Sequence, residues 1–293
     1  MSKSKMLKPP VTAILTVALV AAIIACAVIF LIMNNRIRAL NDMLVKSQAY
    51  SAQIDGQLND LKKEYETLKD DYAELERTKA EQKNAKVVYL TFDDGPSQNT
   101  EKILDILDSY NIKATFFVIG KEGGYAAEIC RRIITDGHVA GNHTYSHKYE
   151  EIYSSPDAFW NQYQKNDDVF FEITGRHLSI LRFPGGSNNT VSQRYCNGIM
   201  DVLTKQAQQK GIVYFDWNVS SLDAEKKVQD TQVIINSVLS GVKDKQTSIV
   251  LMHDNNTKKT TVEALPVIIE QLKSQGYIFK TLDENTPPIQ FLK

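Results

Sequence analysis

Two adjacent carboxylates, Asp93 and Asp94, end the run Val87-Val88-Tyr89-Leu90-Thr91-Phe92 and are followed by Gly95-Pro96. The apolar part of that run reads as a buried strand. Neighbouring residues on a strand point to opposite faces, so the two acids can coexist only where the strand is ending, and Gly-Pro supplies the turn. The pair is open to catalysis or metal binding, and equally to service as a cap for the helix entered through Pro96-Ser97-Gln98-Asn99-Thr100-Glu101. A second constellation is Gly141-Asn142-His143-Thr144-Tyr145-Ser146-His147, which holds two of the five histidines. A His-x-x-x-His spacing puts both imidazoles on one face of a helical turn, a common arrangement for a divalent metal. Two histidines and one carboxylate form a ligand set with positions left for water.

Short apolar runs alternate with amphipathic stretches from Lys86 onwards. Strands are expected at 87–92, 113–119, 138–142, 179–183, 212–219, 247–252 and 277–282, and helices at 99–109, 124–136, 156–172, 191–210, 230–242 and 261–275. Gly137, Gly211 and Gly276 stand where helices should stop. Repeated β-α units imply an α/β fold with a mostly parallel sheet, either a closed or nearly closed barrel or a doubly wound open sheet. Function in both architectures gathers at the C-terminal ends of the strands. The acid pair and the histidine pair fall there. So do Arg182 in Arg182-Phe183-Pro184-Gly185-Gly186, Trp217 and Asp223 in Trp217-Asn218-Val219-Ser220-Ser221-Leu222-Asp223, and His253 in Leu251-Met252-His253-Asp254. Taken singly, each has a plain reading as a surface ion pair, a core aromatic or a neighbour of a helix cap.

These five motifs, in this order, resemble the polysaccharide deacetylases of the NodB-homology type, carbohydrate esterase family 4, across about residues 86–283. The resemblance implies a deformed (β/α) barrel of about seven parallel strands. It implies Asp94, His143 and His147 as ligands of a divalent metal, usually Zn2+, with Co2+, Mn2+ or Ni2+ as alternatives. Asp93 would be the general base, oriented by Arg182. His253 would be the general acid that protonates the departing amine, with its pKa raised by Asp223. The N–H of Gly185 would help to hold the oxyanion, and Pro184 and Leu251 would line the substrate groove. The sequence departs from the family pattern in two places. Gly185 stands where an aromatic is frequent, and Ala224 where a Trp often follows the motif's acid. Both remove apolar surface from the groove, and Trp217 and Tyr145 are candidates to replace it. Asn142 and Asn218 are expected to organise loops.

The N-terminal third carries a different pattern. Val11 to Met33 holds no charge and no proline, and spans about 34 Å at roughly 1.5 Å per residue, enough for a hydrocarbon core. Lys3, Lys5 and Lys8 precede it, and Arg36 and Arg38 follow, soon joined by Asp42, so residues 1–10 are expected in the cytoplasm and the remainder outside. Ala25-Cys26-Ala27 resembles a cleavage site and Ile23-Ile24-Ala25-Cys26 a lipoprotein box. Cutting at either would leave Val28–Met33 on the mature terminus, so an uncleaved single-pass anchor over 11–33 is expected. Residues 34–85 read as a stalk. Ile54, Leu58, Leu61, Tyr65, Leu68, Tyr72 and Leu75 keep coiled-coil spacing, and the register runs back through Ser51 and Ser47 to Leu44, Leu40 and Ile37. The seam suits a parallel homodimer or, alternatively, packing of one helix on the catalytic domain. Glu64 could reach Lys69 of a second copy, whereas Asp71 would face Glu76. A helical stalk would extend about 80 Å, and the polar stretch Gln82–Lys86 reads as a connector before the domain at 86–293.

The chain is 43% hydrophobic and 24% charged with a formal net charge of −1. It therefore lacks the electrostatic footprint of a nucleic-acid binder or of a polybasic membrane patch. Cys26, Cys130 and Cys196 form no CxxC pair, which excludes a disulfide scaffold and a Cys-type zinc site. Cys130 and Cys196, each in a helix, could pair outside the cell, but buried free thiols are expected. The expected function is a metal-dependent N-deacetylase on a bacterial cell membrane, its partner an acetylated cell-wall glycan and most directly the N-acetylglucosamine of peptidoglycan. Other N- or O-acetylated polysaccharides (chitooligosaccharide, xylan, exopolysaccharide) and a non-catalytic coiled-coil scaffold or glycan-binding protein are the alternatives.

Overall fold

The computed structural model describes residues 11–292, with side chains described for 15–77 and 85–292. The 1–10 tail with Lys3, Lys5 and Lys8 lies outside the described residues. The chain divides into two units between Glu81 and Gln82.

Helix α1 runs from Val11 to Asn84. Its N-terminal part is long and apolar enough to cross a membrane. Beyond it the seam residues stay exposed in the single chain, from 44% at Ile54 to 66% at Leu68. The connector expected at 82–86 is helical as far as Asn84. Gln, Lys and Glu are good helix formers, and neither Gly nor Pro interrupts them, so polarity alone does not end the helix.

In the second unit, β1 (Val87–Asp93), α2 (Gln98–Ser109), β2 (Thr115–Val118), α3 (Gly124–Thr135) and β3 (Val139–Asn142) lead to a short α4 (Tyr149–Ile152) and to α5 (Pro156–Thr174). Then come β4 (Ile180–Leu181), α6 (Ile199–Gln209), β5 (Val213–Tyr214), β6 (Val219–Ser220), α7 (Thr231–Val242), β7 (Thr247–His253), α8 (Lys259–Ser274) and β8 (Ile278–Phe279). All strand pairs are parallel. The order is β5-β4-β3-β2-β1-β7-β6, with β8 paired to β1. β1 uses Val87 and Val88 to pair with β8, and Thr91 to Asp93 to pair with β2.

The single strand expected at 212–219 is resolved into β5 and β6. β5 pairs with β4 and β6 with β7, so one extended segment touches both ends of the strand order. Those ends can meet only if the sheet curls. The deformed barrel expected from the motifs is therefore present as a curled parallel sheet, and the flat doubly wound alternative is not.

The core beneath the site is built by amphipathic packing. Ile103, Leu104 and Leu107 of α2 and Leu265, Ile268, Ile269 and Leu272 of α8 join Val88, Leu90 and Phe92 of β1 in one buried cluster. Phe92 and Phe116 stack with centroids 5.2 Å apart. Ser97 caps α2 in a capping box with Thr100, which fixes how the chain leaves the acid pair. Gly137, Gly211 and Gly276 follow α3, α6 and α8 with positive φ, as expected of helix stops. The helix expected at 191–210 is shorter than that. Val191–Arg194 is one 3-10 turn, and α6 starts at Ile199 because Gly198 is left-handed, with φ of 71°. Cys196 therefore sits half-buried between helical pieces, whereas Cys130 is buried in α3, and both are free.

His138, just before β3, is buried. Its Nδ1 accepts from the Ala114 N–H at 3.0 Å, and its Nε2 has no partner. Burial, helped by Lys113, pushes its pKa down to about 4. An unfolded histidine binds its proton near ~6.5. The stability held by the neutral ring is thus present above ~6.5 and lost as pH falls toward about 4, a change of about 3 kcal/mol. Urea unfolding of residues 82–293 at pH 7.5 and 4.5 should show this loss. His138→Gln, which keeps an acceptor but cannot take a charge, should shallow the slope, and an unchanged slope would refute the assignment.

Candidate active site

Asp93 is the last residue of β1 and the register partner of His253, the last residue of β7. Register partners on neighbouring parallel strands present their side chains on the same face. Asp93 is 3% exposed. Its Oδ1 accepts from Arg182 Nη1 at 2.9 Å, and its Oδ2 lies 3.7 Å from His143 Nε2. Arg182 is wholly buried. It also donates from Nη1 to Thr91 Oγ1 (2.7 Å), from Nε to the Phe215 carbonyl (3.0 Å) and from Nη2 to the Asp216 carbonyl (3.2 Å). Every polar edge of the guanidinium is thus used inside the barrel, which is how a buried charge is tolerated.

Asp94 does not point away from Asp93, as strand alternation would have it. Its φ is 79°, and the left-handed backbone turns the carboxylate back, so that Oδ1 lies 3.7 Å from His143 Nε2 and 3.4 Å from His147 Nε2. Asp94 Oδ1 is buried and accepts no hydrogen bond, while Oδ2 takes one from Asn255 at 3.0 Å. Burial would raise the Asp94 pKa, but His147, His143 and His253 outweigh it and lower it overall.

The two histidines are not on a helical turn. Residues 143–148 form a loop after β3, in which Thr144 and His147 are left-handed with φ of 67° and 56°. That loop brings the rings to 5.0 Å. Asn142 shapes it, accepting from the Thr144 N–H at 2.9 Å and from Asn166 at 3.2 Å. Asn218 does similar work beside β7, where its side chain bonds Ile249 N–H and the Thr247 carbonyl. His143 Nδ1 faces the Arg182 carbonyl at 2.8 Å, so it carries the proton and leaves the Nε2 lone pair free. Burial depresses the His143 pKa to about 4, so the ring is neutral at neutral pH.

Ligand atoms from Asp94, His143 and His147 all lie within 4.8 Å of one another. An orphaned carboxylate oxygen facing two imidazole nitrogens is a donor set suited to a divalent ion.

On the β7 side, His253 Nδ1 pairs with Asp223 Oδ1 at 2.8 Å. Asp223 Oδ2 accepts from the His253 N–H (2.7 Å) and from Thr261 (2.9 Å). Burial lowers the His253 pKa, but the hydrogen bond and charge of Asp223, aided by Asp93 and Asp94, lift it to about 9. Asp223 is held below its usual value, because His253 and Thr261 outweigh the burial that would raise it.

These groups face one cavity of about 320 Å³, lined by Asp93, Asp94, His143, His147, Asp223 and His253, with Gly185, Trp217 and Leu251 on its walls. Three expected residues stand apart from that lining. Arg182 lies behind Asp93. Pro184 turns inward, its carbonyl accepting from the Tyr153 hydroxyl at 2.7 Å. Tyr145 packs against Gly120 and bonds Glu122. Trp217 is half-buried, with Phe291 of the C-terminal tail edge-on at 5.2 Å. Sequence reasoning missed Tyr149 and Leu222, which also line the cavity, and Thr91 and Asp216, which brace it. No spacing rule marks them, since each depends on a loop conformation.

A family model described as polysaccharide deacetylase matches residues 80–199. The chain is 31% identical over 250 residues to the candidate polysaccharide deacetylase YheN of Bacillus subtilis, covering 83% of this chain and 84% of that one. It is 34% identical over 203 residues to the peptidoglycan-N-acetylglucosamine deacetylase PgdA of Listeria monocytogenes, across 69% of this chain but 39% of the relative. The crystal structure of the catalytic domain of the peptidoglycan N-acetylglucosamine deacetylase from Eubacterium rectale superposes with a TM-score of 0.67 at 42% identity. That match covers 70% of this chain and 92% of that one.

The Asp223–His253 pair generates a pH prediction. With His253 as the proposed proton donor, which acts only below its pKa, turnover should fall as pH rises toward about 9. Asp223→Asn removes the charge that raises His253 and should move this alkaline limb to lower pH. A pH–kcat profile whose alkaline limb is unmoved in the variant would show that His253 is not the titrating acid.

Proposed function

The chain belongs to the polysaccharide deacetylase family, and on that premise we propose that it removes the N-acetyl group from N-acetylglucosamine of peptidoglycan, releasing a free amine and acetate. The observation that carries this reading is the Asp94–His143–His147 cluster beside Asp93 and His253 in one cavity. The scaffold alternative falls, because a binding module has no use for a base, an acid and a ligand set held together.

Asp94 Oδ1, His143 Nε2 and His147 Nε2 would hold the divalent ion, for which Zn2+ is proposed because two imidazoles and a carboxylate suit it. When bound, the ion supplies Lewis acidity toward a water and an acetyl carbonyl. Asp93 Oδ2, the oxygen not taken by Arg182, accepts the proton of the attacking water. The carbonyl carbon becomes tetrahedral, and its oxygen gains charge in reach of the Gly185 N–H, which has no acceptor among the described residues. Collapse breaks the C–N bond, and the amine leaves with a proton from His253 Nε2, the nitrogen not engaged by Asp223. The acid and the base thus work from neighbouring strands, with environments that set their roles apart.

The same reading places the chain as a single-pass protein of a bacterial cell membrane, with 11–33 as the anchor, the N-terminus cytoplasmic and the catalytic domain of residues 86–293 outside. Residues 34–85 would pair in parallel with a second copy. The exposed seam from Ile37 to Leu75 supports pairing, since apolar a and d positions gain stability by burial against a partner helix.

Purified 82–293 should release acetate from acetylated peptidoglycan, lose activity to a chelator and regain it with Zn2+. Asp93→Asn should reduce turnover by at least about 10²-fold while zinc content stays at the wild-type level. Absence of metal-dependent acetate release would remove the peptidoglycan reading. For the stalk, residues 34–85 should be helical and dimeric in sedimentation equilibrium, and a monomer would remove the pairing.

A further inference from the structure

The wall of the cavity at Gly185 is closed by a residue from a different strand end. Gly185 and Gly186 have φ of 79° and 84°, a backbone that side-chain-bearing residues rarely adopt. A Cβ built on Gly185 would collide with the Tyr149 hydroxyl. The space that a side chain at 185 would fill is therefore held by a phenol delivered from the first residue of α4. Tyr149 lines the same cavity as Asp94, His143 and His147.

That phenol is firmly placed. Its ring stands edge-on to Tyr153 at 5.3 Å and lies 5.9 Å from the His147 ring. Tyr153 donates to the Pro184 carbonyl at 2.7 Å, so one aromatic pair locks Tyr149 and the 184–186 loop together. Yet Tyr149 Oη has no hydrogen-bond partner among the described residues, and neither has the Gly185 N–H beneath it. Two donors without acceptors among the described residues, on one wall of the cavity that holds the carboxylates and imidazoles, are placed to meet a ligand oxygen. In a deacetylation, the oxygen that becomes most strongly accepting is the acetyl oxygen, as charge moves onto it.

We propose that the Tyr149 hydroxyl is a second hydrogen-bond donor to the acetyl oxygen, acting beside the Gly185 N–H and strengthening as the tetrahedral intermediate forms. This rests on the deacetylase reading above. Gly185 and Tyr149 then form one unit, in which the glycine leaves room for the hydroxyl.

The test uses the full-length chain in detergent micelles, loaded with Zn2+. Acetate release is measured on peptidoglycan and on N-acetylated oligosaccharides, and wild type is compared with Tyr149→Phe on each substrate that wild type turns over. The variant should lose about 10²-fold in kcat with KM within twofold, while thermal midpoint and zinc content match wild type. A kcat within threefold of wild type overturns the inference. So does a raised KM at unchanged kcat, which marks a sugar-binding hydroxyl, and so does a lost midpoint or lost zinc, which marks a structural one. Failure of wild type on peptidoglycan alone strikes the substrate reading and leaves the kcat ratio on the other glycans to decide the role of Tyr149. Failure on every substrate removes both.

Discussion

One buried guanidinium holds the catalytic unit together. Arg182 leaves the end of β4, crosses the barrel interior over the Phe117 ring at 4.2 Å, and reaches β1 through Thr91 and Asp93 and the 215–216 segment through two carbonyls. Burying this charge is affordable only because three polar contacts and one carboxylate meet it. Removing one partner of such a pair costs roughly 3–5 kcal/mol. The same contact also orients Asp93, since it occupies Oδ1 and leaves Oδ2 free for the proposed role as base. Stability and the proposed chemistry therefore both draw on a single side chain that does not line the cavity.

Rigid strands and strained loops divide the remaining work. Asp93 and His253 sit at the last register of β1 and β7, where ladder hydrogen bonds fix both backbones. Asp94 and His147, in contrast, lie in left-handed backbone just past strand ends. Asp and His tolerate that region better than most residues, and the distortion is what turns their side chains toward a common point. Leu222, with φ of 60° in the loop leading to Asp223, is a costlier case, and it too lines the cavity. Such outliers concentrate at functional sites because the surrounding packing holds them in place.

The parts legible in the sequence were those governed by local pattern. Apolar runs marked every stretch that became a strand, and the ends of those runs carried Asp93, Asp94, His143, Arg182, Asp223 and His253. The rest depends on backbone conformation, which pattern does not encode. The His143–His147 spacing suggested a helical turn, but two positive φ values make it a loop. Strand alternation suggested that Asp93 and Asp94 diverge, yet one left-handed residue brings both within 3.7 Å of the same nitrogen. Ala224 and Gly185 read as lost groove walls. Tyr149 fills the second of these, and only the three-dimensional meeting of α4 with the 184–186 loop reveals it.

The segment from Val213 to Ser220 has a consequence for how safely the chain can fold. β5 and β6 terminate the strand order on opposite sides, and one continuous stretch supplies both. The outward edges of β4 and β7 would otherwise be open ladders, the kind of surface that recruits strands from other chains. A single short stretch shields both. Weakening its pairing at either end would leave an adhesive edge exposed, so this stretch guards against aggregation as well as shaping the cavity wall through Trp217.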